Sequence, residues 1–161
     1  MIAARCLEKL ILESGKNRNG IEHFLKVYAY AKTIGEQEGL SPAEMEILEI
    51  TAVIHDIACP LCREKYGSAP GHLQEQESGP LVDRFLGEVG CAPEVIDRVR
   101  HLVTHHHTYT GVDGMDWQIL LEADFLVNAG ENGMARPAIE AARTGFFRTK
   151  TGIALLESIY L

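Results

Sequence analysis

No stretch of this chain alternates apolar and polar residues long enough to make a strand, and none forms an internal repeat or a low-complexity tract. Sheet-based and solenoid architectures are thereby set aside. No apolar run approaches the ~20 residues of a bilayer-spanning helix. The opening Met1-Ile2-Ala3-Ala4-Arg5-Cys6 has no signal-peptide pattern. A cytoplasmic location without a membrane partner is therefore expected. Positive charge is in deficit: 15 basic against 23 acidic residues give a formal charge of −8. That balance argues against nucleic acid as a partner but leaves a small anion in a local basic pocket open. Cysteine is scarce too, and four in 161 residues do not make a disulfide framework. Cys6 and Cys91 read as small buried apolar residues. Cys59-Pro60-Leu61-Cys62 is a C-x-x-C lacking the βαβ context of a redox motif and any second Cys or His pair, save His72, to complete a zinc site, so it reads as structural.

What remains is ordinary globular composition, 46% hydrophobic and 24% charged, in a length that suits one domain over residues 1–161. Helical spacing of apolar residues recurs throughout. Ile2 to Ser14 is an amphipathic helix, followed by a polar turn over Gly15 to Gly20. A second helix is expected from about Ile21 to Glu38, with His23 in its first turn and Gly39 as its stop. Ser41-Pro42-Ala43-Glu44 has the form of a capping box with proline at the first helical position. Cys59 to Gly71, with its prolines and glycines, reads as irregular, with at most a helical turn around Arg63 to Tyr66. Further helices are expected over Gln74 to Gly90, from Ala92 into the run His101-Leu102-Val103-Thr104-His105-His106-His107, over Trp117 to Ala129, and in one or two pieces over 137–161. The expected fold is an all-α compact helical bundle.

The organising stretch is Thr51-Ala52-Val53-Ile54-His55-Asp56-Ile57-Ala58, which places an imidazole beside a carboxylate at the end of an apolar helix. Burying such a pair is costly unless something satisfies it. A helix-end aspartate and a satisfied core histidine would be one solution; a divalent cation is another. Two more polar residues interrupt apolar helix faces: His23, and Asp124 within Ile119 to Val127.

The order His23, His55-Asp56, Asp124 on separate helices resembles the HD-domain superfamily of metal-dependent phosphohydrolases, whose pattern is H…HD…D. Gly20 to Ala29, Thr51 to Ala58 and Leu120 to Asn128 look like that family's three ligand helices. The resemblance spans roughly Arg18 to Glu131. It implies His23, His55, Asp56 and Asp124 as ligands of a divalent ion (Mn, Fe, Co, Ni, Zn or Mg) and a metal-activated water that attacks phosphorus, with Asp56 also orienting that water. Arg18, five residues before His23, matches a position that family members use to hold phosphate; a solvated turn arginine is the alternative. Glu64 as an acid/base carboxylate and Lys65 as a phosphate contact stand beside the alternative of exposed charge. Asn128, one turn after Asp124, is a ligand or water contact or a helix-end polar residue. Some members hold a second ion, for which Glu75, His72, His101, His105, His106 and His107 offer candidates here, the first four favoured; exposure is the alternative for His106 and His107. The substrate expected is a small phosphorylated metabolite, in the first instance a nucleotide, with a homodimer left open. A non-catalytic metal-binding or sensor module and an HD-type di-iron oxygenase are the alternatives.

Overall fold

The computed structural model describes residues 1–161 and contains nine helices and no strand. They are α1 (Ile2–Ser14), α2 (Arg18–Gln37), α3 (Pro42–Ile54), α4 (Cys59–Tyr66), α5 (Gly71–Val89), α6 (Pro93–Val103), α7 (Met115–Glu131), α8 (Arg136–Gly145) and α9 (Lys150–Tyr160). The all-α expectation holds.

α3 is the axle of the bundle. Its start is the capping box: Ser41 N–H donates to Glu44 Oε2 (2.8 Å), and Glu44 N–H donates to Ser41 Oγ (3.3 Å). From Leu48 to Ile54 every residue is buried. Thr51 satisfies its hydroxyl internally by donating to Ile47 O (2.7 Å). A helix apolar all round must be enclosed on all sides. Leu48 and Ala52 join one apolar cluster with α2, α7, α8 and α9, which includes Ile34, Leu120, Leu126 and Leu156. Ile50, Val53 and Ile54 join a second cluster with α1, α5 and α6, which includes Cys6, Phe85, Leu86 and Val99. The residues that follow α3 therefore emerge where the two cores meet.

Several boundaries differ from the sequence expectation, α5 among them, which begins at Gly71 rather than Gln74. α2 starts a turn earlier, because Asn17 caps it by accepting from Gly20 N–H (3.1 Å). Cys59 to Tyr66 is a helix rather than irregular chain, since Pro60 sits in its first turn, where no backbone N–H is needed. α6 stops at Val103: Thr104 turns its hydroxyl back onto Arg100 O (2.8 Å), and His105 to His107 form a separate turn. No helix is long and apolar enough to cross a membrane.

Candidate metal centre

α2, the end of α3 and the middle of α7 deliver four side chains to one point. His23 Nε2 lies 3.2 Å from His55 Nε2, 3.2 Å from Asp124 Oδ1 and 3.3 Å from Asp56 Oδ2. His55 Nε2 lies 3.4 Å from Asp124 Oδ1 and 3.5 Å from Asp56 Oδ2. His55 is wholly buried and Asp124 nearly so, while Asp56 keeps one side open. Asp56 turns its other oxygen, Oδ1, to His106 Nε2 at 3.4 Å.

The outer nitrogens decide what these rings present to one another. His23 Nδ1–H donates to Glu131 Oε2 (2.9 Å), His55 Nδ1–H to Ala52 O (2.8 Å), and His106 Nδ1–H to Val103 O (2.7 Å). A carboxylate or carbonyl only accepts, so each neutral ring carries its proton outward and points a bare Nε2 lone pair inward. Three lone pairs and two carboxylates then face each other, and His106 Nε2, buried, has no hydrogen-bond partner at all. Such a set repels itself unless a cation or protons sit among it. Imidazoles anchored through their far nitrogen are the usual arrangement of histidine ligands, so these residues fit a divalent ion with mixed N/O preference.

The titration behaviour expresses the same demand. Burial works against charging His55, yet Asp56 and the hydrogen bond to Asp124 outweigh it and raise the imidazole to about 9. His23 is raised as well, with burial overcome by Asp124 and Asp56. Asp124 and Asp56 are both held well below the usual carboxylate range: burial opposes this, but His23 and His55 beside Asp124, and His55 and His106 beside Asp56, prevail.

A second donor group adjoins the first. Asp56, His106 and His107 bring one ligand atom each within 4.8 Å of one another. α5 holds this turn in place. Glu75 Oε1 accepts from His107 N–H (3.0 Å) and Thr108 Oγ1–H (2.9 Å), and Gln74 Oε1 lies 3.1 Å from His107 Nε2. Gly71 leaves room for the His107 ring: a Cβ there would lie 2.7 Å from its Cγ. Burial and the neighbouring His106 lower His107 to about 4, so it remains a neutral donor.

The placement corrects several sequence expectations. His101 and His105, expected to converge on an ion from one face of α6, instead pack ring against ring at 4.4 Å and meet Trp117 edge-on, with His101 Nε2 3.4 Å from Asp113. The reason is the stop at Val103, after which the turn carries His106 and His107 inward. His72 is exposed, and Glu75 braces the turn through Oε1. Arg18 opens α2 five residues before His23, about 140° around a helix, and is exposed. Asn19 and Gly20, four and three residues before His23, share its face and line the cavity instead. Glu64 and Lys65 fall on the sides of α4 away from Cys59; Glu64 is exposed, and Lys65 is tied to Glu77 at 2.6 Å. Asn128 does reach the centre, where Nδ2–H donates to Asp124 Oδ1 (2.9 Å).

A cavity of about 410 Å³ opens over His23 and Asp56. Leu10, Phe24, Val53 and Ile57 supply apolar wall, and Asn17, Asn19, Asn128 and Glu131 supply polar groups. Arg63 is its one basic residue, a turn past Cys59 on α4. Two positions at the centre escaped the sequence reading. Glu131 follows Asp124 and Asn128 at the i, i+4, i+7 spacing of one helix face, and Arg63 follows Cys59 at i+4, so both had a periodic signal. His106 and His107, second-ion candidates with exposure as the alternative, are carried inward by the turn after α6.

The family model described as HD domain matches residues 20–137. No curated protein matches the chain, and no solved structure does.

Proposed function

The chain belongs to the HD-domain family, and from that membership we propose that it is a divalent-metal-dependent phosphohydrolase acting on a small phosphate ester, a nucleotide in the first instance. The observation that carries the proposal is the inward convergence of His23, His55, Asp56 and Asp124, with both imidazoles anchored outward through Nδ1. A bound ion would supply a Lewis acid for the phosphate and water of lowered proton affinity.

The protein's own groups do the rest. His23, His55 and Asp124 hold the ion, and Asn128 fixes the Asp124 carboxylate. Asp56, half open to the cavity, orients the attacking water through the oxygen it does not use as a ligand. Arg63 takes the charged phosphate oxygens in place of Arg18, and Asn17 and Asn19 offer amides to the organic part. The apolar wall limits competing water around the ester. Metal analysis with a phosphate-release screen tests this. The expected result is hydrolysis lost in Asp124→Ala together with the metal, and a KM raised about tenfold or more in Arg63→Ala. Hydrolysis that survives substitution of both Asp56 and Asp124 would contradict it.

A second ion has specific support, because Asp56, His106 and His107 form a second donor group beside the first and could hold it. Two ions per chain with phosphate release indicate a dinuclear hydrolase; two irons with O₂-dependent turnover indicate an oxygenase instead. One ion without turnover on any ester indicates a metal-binding module.

A further inference from the structure

We propose that the substrate carries a second anionic group, bound by Arg84 at the far end of a trough that begins at the metal centre. The proposal rests on the hydrolase reading for the identity of the first anionic group, the phosphate. A second hollow of about 470 Å³ lies beside the first, against α5, with Glu13, Leu81, Arg84, Phe85 and Glu88 along it. The two hollows adjoin along Leu10, Ser14, Asn17, Ile57 and Pro60. Leu10, Ile57 and Pro60 give this shared edge apolar surface, and Leu81 and Phe85 add more on the side of Arg84.

Charge marks both ends. The first hollow contains one basic residue, Arg63, and the second one, Arg84. Both are exposed, and neither has an ion-pair partner within the chain. The two carboxylates near Arg84 are otherwise engaged: Lys9 Nζ lies 2.6 Å from Glu13 and 2.7 Å from Glu88. In a chain with a net charge of −8, a guanidinium without an ion-pair partner in each of two adjoining hollows suits a molecule with an anion at each end and a partly apolar middle. Guanidinium groups suit phosphate oxygens and carboxylates alike. The phosphate at Arg63 and the ion would be the one cleaved, and the anion at Arg84 would set the length of substrate accepted.

Calorimetric titration of the Mn²⁺-loaded protein with alkane bisphosphonates of increasing chain length, against alkyl monophosphonates of the same lengths, tests this without turnover. Bisphosphonates should bind about tenfold more tightly at one preferred length. Arg84→Ala should bring them down to the monophosphonate affinity, and Arg84→Lys should restore part of the advantage. Equal affinities at every length, or an advantage that survives Arg84→Ala, would overturn the proposal. Phosphate-ester hydrolysis is measured in parallel. An intact bisphosphonate advantage with no ester cleaved supports the trough and overturns the hydrolase reading, and cleavage without the advantage does the reverse.

Discussion

Each inward-facing imidazole of the centre is held from behind, and the holders differ in kind. Ala52 O and Val103 O, behind His55 and His106, are backbone and cannot be changed by substitution. Glu131, behind His23, can. Its loss removes the hydrogen bond that fixes the ring's orientation, so Glu131→Ala should weaken metal binding about 10- to 100-fold, read by chelator competition, with Glu131→Gln closer to wild type. Gly71→Ala pushes a methyl group into the His107 ring. It should lower affinity for a second ion while the first stays bound, which metal titration separates. The protons of the centre supply a pH prediction. The imidazole of His55 is raised from 6.5 to about 9 in the folded, metal-free protein. Its pairing with Asp56 and Asp124 therefore stabilises the fold fully below about pH 6.5 and is lost as the pH rises through 9. The melting temperature of metal-free protein should fall across that window, and metal affinity should climb across it, because each ion displaces protons. Calorimetry in buffers of different ionisation enthalpy would show the released protons. A pH-independent affinity would mean that His55 is neutral before the ion arrives.

Helices whose ends are set by neighbouring residues were legible in the sequence, and those set by distant packing were not. Ser41, Pro42 and Glu44 wrote the start of α3 in four residues, and the periodic runs of α1, α2, α3 and α7 located His23, His55-Asp56 and Asp124 on their helices. α4 was hidden because Pro60 reads as a breaker until its place in the first turn is known. The end of α6 was hidden because Leu102 and Val103 prolong its apolar pattern up to the histidines, and no glycine or proline follows before Gly111 to mark the stop. α9 is secured by a contact no local pattern announces. The buried Glu122 of α7 accepts from Arg148 N–H (2.7 Å), Thr149 N–H (2.9 Å) and Gln118 Nε2–H (2.8 Å), and from the Thr149 hydroxyl. Glu122→Ala strands these donors and should destabilise the protein by about 2–4 kcal/mol. Denaturant unfolding measures that loss, and metal stoichiometry should be unchanged, since Glu122 does not touch the centre.

Across the whole molecule, the two apolar cores share α3 and leave their polar residues at its C-terminal end, where α2 and α7 also arrive. The fold thus brings together at this end imidazoles and carboxylates that a cation could satisfy, whereas the buried Glu122 is satisfied by hydrogen bonds within the protein. Asp124 is the most informative of these residues, because it sits mid-helix within an apolar core and contacts both His23 and His55. The most direct measurement is the metal content per chain of untagged protein purified without chelator, for wild type and Asp124→Ala side by side, with folding of both checked by circular dichroism. The account predicts at least one divalent ion per wild-type chain and loss of that ion in a folded Asp124→Ala variant. A variant that retains its full complement of metal would contradict the assignment of the centre.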